Sequence, residues 1–207
     1  MTTRGTRIVF GEEAEIFQKV FHTFHALMDD RSFDQIIIPT LAYQKTFVDK
    51  AGEEVLDQMY TFKDKSDREL CLIPEVTGVI QELWDEGFFK SKKKPVKLFY
   101  INRCYRYEKP QEGRYREFWQ AGIEILGDGD YSEECKSLLK EFLDKLPIKY
   151  EFHPSVKRGL SYYTEDGFEA TCELLGAQKQ IAGGGKYKQG IGWAVGLDRI
   201  VLGIKKS

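Results

Sequence analysis

A chain of 207 residues, 42% hydrophobic, 31% charged and with a net charge of −2, suffices for one substantial core. One large unit over 1–207 is expected rather than two small ones, and the near-neutral balance excludes a generally basic nucleic-acid binder, leaving open a local basic loop. The four cysteines (Cys71, Cys104, Cys135, Cys172) hold no C-x-x-C pair and the three histidines no ligand-spaced cluster; buried free thiols in a reducing, cytoplasmic setting are expected, without a protein-ligated metal.

No apolar run nears the ~20 residues of a membrane span, and MTTRGTRIVFGEEAE lacks a signal peptide's hydrophobic stretch. From Glu12 to Asp30, Phe17, Val20, Phe21, Phe24, Leu27 and Met28 fall at helical spacing, predicting a helix with one buried face. FDQIIIPTLAY is a β-branched run closed by Pro39, read as a strand ending at a turn or an interface edge. MYTFKDKSDRELCLIPE predicts a hairpin turning at KDKSD. A helix after Pro74 turns Val76, Val79, Ile80, Leu83 and Trp84 inward. Lys92 to Lys94 reads as a solvated loop, with a phosphate-binding patch as the alternative. VKLFYINRCYRYE and EFWQAGIEILG predict strands joined by KPQEGRY, and Ser132 to Leu146 predicts another amphipathic helix. The last third is strand-rich: IKYEFH, GFEATCELL, KQIAGGG and GWAVGL, running into DRIVLGI. Strands with interspersed helices but no regular βαβ alternation predict an α+β fold with an antiparallel sheet.

Successive strand side chains point to opposite faces. In the second strand of the central hairpin Trp119, Ala121, Ile123 and Ile125 share an apolar face, while Phe118, Gln120, Gly122 and Glu124 share the other. In the first strand Arg106 and Glu108 lie with Cys104. Such a sheet is a floor for something polar and charged, or else an antiparallel sheet with a merely wet outer face. Gly122, bare in the middle of that face, favours the floor by making room for a ligand. Arg114 and Arg116, with Lys109, are expected to clamp phosphate from above through arginine's two-pronged hydrogen bonding.

This hairpin resembles motif 2 of the class II aminoacyl-tRNA synthetases, specifically of the histidyl-tRNA synthetase family. RGTR…EEAEIFQKV resembles that family's opening segment, IIIPTLAY its motif 1 around a dimer-interface proline, and LIPEVTG its LRPEGT segment. VKRGLSYYTEDGFEA and IAGGGKYKQG resemble the two histidine-specific signatures, and GWAVGLDRIVL motif 3. The matches run in family order over nearly the whole chain. They imply a class II synthetase-like antiparallel β-sheet flanked by helices, and ATP-dependent activation of L-histidine to histidyl-adenylate with transfer to tRNA(His). Magnesium comes with ATP, and Pro39 with its segment implies a homodimer.

The resemblance also implies roles. Arg106 holds the α-phosphate, Glu108 the adenine end and Arg114 the γ-phosphate; Phe118 stacks on adenine and Arg199 covers the nucleotide from the other side. Arg158, of the RGL-x-YY signature, is the catalytic cation bridging substrate carboxylate and α-phosphate. Glu75, Thr77 and Gln120 match positions that hold the α-ammonium. Glu124 accepts from one imidazole N–H, and Tyr163, with Tyr187, serves the other nitrogen. Tyr162 is either part of this site or of a packed aromatic pair, and AGGGKY either a plain turn or a close approach of backbone to substrate.

Departures from the pattern are Ile73 and Val76, where LRPEGT has arginine and glycine, and Ser161, where RGLDYY has aspartate. Residues 128–150 are too few for the helical insertion of bacterial members, and the chain ends directly after motif 3. A catalytic core without insertion or anticodon-binding domain is therefore expected, with residues 109–116 approaching the tRNA acceptor end. Two alternatives stay open: a histidine-sensing regulatory paralogue, like the regulatory subunit of ATP phosphoribosyltransferase, and a histidine-activating ligase with a non-tRNA acceptor. Retention of Arg106 and Arg158 counts against the sensor.

Overall fold

The computed structural model describes residues 2–51, 53–157 and 162–207, the side chains of 49–51 and 53–55 excepted. Helix α1 (Glu12–Asp30) opens with Glu12, Glu13 and Glu15, whose charges suit the positive end of the helix dipole, and buries Phe17, Val20, Phe24, Leu27 and Met28. The β-branched run that follows does end at Pro39 as expected, but it is strand only at its start. Only β1 (Asp34–Gln35) pairs with the large sheet, and after Ile36 donates to the Phe99 carbonyl at 2.9 Å the chain leaves it. Pro39 has no N–H to continue a ladder. The chain resumes as β2 (Leu41–Tyr43) in a different sheet.

Helix α2 (Lys45–Ala51) and a 3-10 turn (Glu53–Gln58) lead to the expected hairpin, β3 (Tyr60–Lys63) and β4 (Glu69–Leu72). With β2 they form an antiparallel sheet in the order β2-β4-β3. Helix α3 (Thr77–Asp85) follows, then the long hairpin β5 (Val96–Tyr105) and β6 (Glu117–Leu126), and helix α4 (Ser132–Asp144). The last third supplies β7 (Glu151–Val156), β8 (Gly167–Thr171), β9 (Gln180–Tyr187), β10 (Gly190–Gly196) and helix α5 (Leu197–Lys206). AGGGKY is therefore central strand, not turn. The large sheet runs β1-β5-β6-β10-β9-β8-β7, antiparallel throughout except for the β1–β5 pair. This is the expected α+β arrangement.

Each face of the large sheet carries its own apolar cluster. On one, Ala121, Ile123 and Ile125 of β6 meet α1, α4 and α5, with Phe24 edge-on to Phe142 at 5.1 Å and to Trp193 at 5.9 Å. Each buried isoleucine or phenylalanine of this cluster contributes roughly 1.5–3 kcal/mol by leaving water. On the other, Tyr100 and Cys104 of β5 and Tyr187 of β9 pack with Ile73, Val76 and Ile80 around α3 and the small sheet. All four cysteines are buried and unbridged. Among the described residues no helix is long and apolar enough to cross a membrane.

Candidate active site

The face of β6 that does not enter the main core forms the floor of a cavity of about 310 Å³. Phe118, Gln120 and Glu124 reach it, as the alternation of the strand requires. Gly122 does not line it. A Cβ there would fall against the Tyr100 hydroxyl and the Trp193 carbonyl, so the bare position is filled by the phenol of Tyr100 rather than reserved for a ligand. A different glycine clears the floor: opposite Glu124 in the β6–β10 ladder stands Gly192, and any side chain there would fall on Glu124 Oε2.

Glu124 is 1% exposed, and both of its oxygens are engaged. Thr77, at the start of α3, donates its hydroxyl to Oε1 at 2.7 Å, and Tyr187, at the end of β9, donates to Oε2 at 2.6 Å. Those donors favour the carboxylate, yet burial outweighs them and raises the carboxyl from 4.5 to about 8, with the nearby charge of Glu75 adding to the rise. Glu75 Oε1 accepts the Gly78 N–H at 2.7 Å; burial raises this carboxyl too, while the Gly78 and Thr77 donors and the Arg106 charge oppose the rise. Thr77 thus gives its hydroxyl proton to Glu124. Gln120 Oε1 accepts the Cys104 thiol at 3.4 Å. The rings of Tyr162 and Tyr163 lie 4.7 Å apart, and Tyr162 stands edge-on to Tyr187 at 6.2 Å; all three line the cavity. Burial pushes the hydroxyls of Tyr162 and Tyr187 up, so both stay neutral donors.

The other end is cationic. Strand β5 stops at Tyr105, so Arg106 and Glu108 lie in the loop rather than in the strand, although Arg106 N–H still donates to the Arg116 carbonyl at 3.0 Å. Arg106 Nε donates to the Pro74 carbonyl at 2.9 Å, with its guanidinium 5.3 Å from the centre of the Phe118 ring. Arg114 forms an ion pair with Glu108. Arg199, from the first turn of α5, donates Nε to Gly113 O at 3.0 Å, Nη1 to Gln180 O at 2.7 Å and Nη2 to Gln178 Oε1 at 3.2 Å. Its burial, with Arg106 and Arg114 nearby, lowers its pKa.

Of the three cations expected to clamp phosphate, only Arg114 lines the cavity. Arg116 stacks on Tyr107 at 4.0 Å and donates Nε to the Glu108 carbonyl at 3.0 Å, so it braces the loop. Lys109 is exposed and off the cavity wall. Arg158 and Ser161 lie outside the described residues. Gly185 of the AGGGKY stretch is bare because Tyr163 packs over it, its ring 2.7 Å from where a Cβ would sit.

Asp198 also lines the cavity, a position that neither alternation nor motif brings out in the sequence. It is 6% exposed, accepts the Trp119 N–H at 2.8 Å and pairs with Arg7 at 2.7 Å. Its one sequence signal is an acid placed directly before Arg199. Among the described residues no group of three His, Cys, Asp or Glu side chains is placed to hold a metal ion. Buried acids at one end and arginines at the other suit a ligand with N–H donors on one side and oxyanions on the other.

A family model described as Histidyl-tRNA synthetase matches residues 5–146. Histidine–tRNA ligases of Saccharolobus islandicus and Saccharolobus solfataricus are each 42% identical over 149 residues, covering 71% of this chain and 35% of theirs. The chain thus spans about a third of the length of these curated relatives. Apo S. aureus histidyl-tRNA synthetase superposes with a TM-score of 0.82 at 22% identity, over 100% of this chain and 70% of its own. A Bacillus halodurans ATP phosphoribosyltransferase regulatory subunit/histidyl-tRNA synthetase gives 0.82 at 17% identity, over 99% and 83%. The Alicyclobacillus acidocaldarius histidine–tRNA ligase subunit gives 0.82 at 14% identity, over 100% and 98%. At these identities the structural likenesses establish the fold alone.

Proposed function

The chain belongs to the histidyl-tRNA synthetase family, and from that premise we propose that it activates L-histidine with ATP and passes the histidyl group to the 3′ end of tRNA(His). A carboxylate oxygen of histidine attacks the α-phosphorus of ATP, which enters as its magnesium complex. The α–β anhydride bond breaks, and pyrophosphate leaves. Chemistry of this kind needs alignment of two anions and stabilisation of the charge that builds between them.

The observation that carries this reading is Glu124, buried on the cavity floor and held by Thr77 and Tyr187. A carboxyl so placed accepts one imidazole N–H, and Tyr163 serves the second ring nitrogen. Glu75 and Gln120 take the α-ammonium. A site of buried polar groups rejects analogues that leave those groups unpaired. At the other end Arg106 faces the α-phosphate, Phe118 offers a ring to adenine, and Arg114 reaches the γ-phosphate once Glu108 turns to the nucleotide. Arg199 closes the site from α5, and Arg158 bridges carboxylate and phosphate.

A histidine sensor is the second reading, favoured by the pairing of Arg114 with Glu108 and the occupation of Arg199's donors by the protein's own oxygens. Histidine-dependent ATP–pyrophosphate exchange separates the two. Exchange that is lost in Arg106→Ala supports activation; no exchange, with histidine still bound by calorimetry, leaves the sensor. Charging of tRNA(His) with and without its 5′ extension tests the acceptor. The exposed Ile37, Leu41 and Tyr43 suit a homodimer; a species of only 24.0 kDa at micromolar protein in light scattering would refute it.

A further inference from the structure

Gly5 and Arg7, ahead of α1, touch both elements that bring arginine to the cationic end of the site. The carbonyl of Gly5 accepts the Arg116 N–H at 2.7 Å, which ties down the foot of the loop carrying Arg114. Gly5 has φ +85°, and a Cβ there would meet Arg116 Cγ at 2.6 Å, so only glycine lets the two segments lie this close. Two residues later Arg7 joins loop to helix. Its guanidinium lies 4.6 Å from the centre of the Tyr115 ring, next in sequence to Arg114. The same group donates to Asp198 Oδ1 from Nη2 at 2.7 Å and from Nε at 3.3 Å, next in sequence to Arg199. Nη1 bonds Glu13 of α1. Asp198 spends its other oxygen on the Trp119 N–H of β6.

We propose that Arg7 is a positioning residue for the nucleotide end of the site: it fixes the loop bearing Arg114 against the helix bearing Arg199, touching neither arginine. The inference rests on the activation reading given above. Facing the Tyr115 ring while giving two N–H bonds to Asp198 Oδ1 is an arrangement that guanidinium supplies and ammonium does not. Glu124, at the histidine end, takes no part in these contacts, since it is held from α3 and β9. Loss of Arg7 therefore acts on one substrate and spares the other.

The test is calorimetric binding of magnesium-ATP and of L-histidine, each alone, to wild type, Arg7→Ala, Arg7→Lys and Tyr115→Leu. Arg7→Ala is expected to weaken ATP by about tenfold or more, a loss in the range a small misplacement produces, while histidine affinity moves less than about twofold. Arg7→Lys recovers part of the loss. Tyr115→Leu leaves the Asp198 pair intact, so it reports even if Arg7→Ala does not fold, and it is expected to show the same selectivity in smaller measure. Equal weakening of both ligands, or unchanged ATP affinity in the folded variants, overturns the inference. A wild-type chain that binds histidine but no ATP instead overturns the activation reading, and this inference with it.

Discussion

Replacing Glu124 by glutamine keeps the side chain's shape and removes the charge that burial opposes. Its carboxyl stands at about 8 in the folded chain against 4.5 for an unperturbed glutamate. Between those values the folded protein holds a proton that the unfolded chain has released, so the stability Glu124 confers is full below pH 4.5 and falls as pH rises through the window. At about 1.36 kcal/mol per pKa unit, the wild type gives up about 2 kcal/mol between pH 6 and pH 8 through this one group. The glutamine amide of the variant has no proton to exchange in this range, and the Thr77 and Tyr187 hydroxyls can reorient to meet it. Urea denaturation of Glu124→Gln and wild type at pH 6, 7 and 8 should therefore show the gap between them widening by about 2 kcal/mol in favour of the variant. Histidine affinity should fall at the same time, because an acceptor has become a donor. Parallel stability profiles for the two chains would refute the reasoning, since burial would then not be holding the proton.

Tyr187→Phe strips the donor from Glu124 Oε2; a cost of about 1–3 kcal/mol in urea denaturation is expected, together with weaker histidine binding, and unchanged affinity would place imidazole recognition elsewhere. Gly192→Ala puts a methyl group onto Glu124 Oε2 and close to the Ile123 carbonyl; histidine binding should be lost with a stability cost of about 1–3 kcal/mol, and normal binding in calorimetry would contradict the floor as described. Burial pushes the Cys71 thiol up to about 11 and raises those of Cys104 and Cys135 as well. A thiol reagent at pH 8 should label these three only after denaturant is added, and rapid labelling of the native chain would show that the core opens.

The parts legible from the sequence are those where one period dominates. Alternation along 118–125 assigns each side chain to the correct face, and the helical spacing of Phe17, Val20, Phe21, Phe24, Leu27 and Met28 identifies the stripe of α1 that meets the core, with Phe21 only partly buried. What stayed hidden depends on contacts between distant segments. The space over Gly122 belongs to Tyr100, which only the β5–β6 register places there. Arg116 and Arg114 are alike in sequence, but Tyr107 and the Glu108 carbonyl draw one away while the cavity keeps the other. Arg7 and Asp198 meet across 191 residues. Pro39 marks where the run beginning at Phe33 ends, but propensity carries no information about which sheet the chain joins on either side of it.

The ladder that holds β6 between β5 and β10 also sets which length changes the chain can absorb. Leu98, Glu124 and Gly192 stand in one row across three strands. Inserting or deleting a single residue within 118–126 would shift that row by one step and exchange the faces, sending Ile125 toward the cavity and Glu124 into the helix-covered core. A length change is therefore expected to be absorbed in the loops flanking this strand, 106–116 and 127–131, where an extra residue changes reach without reversing the sheet.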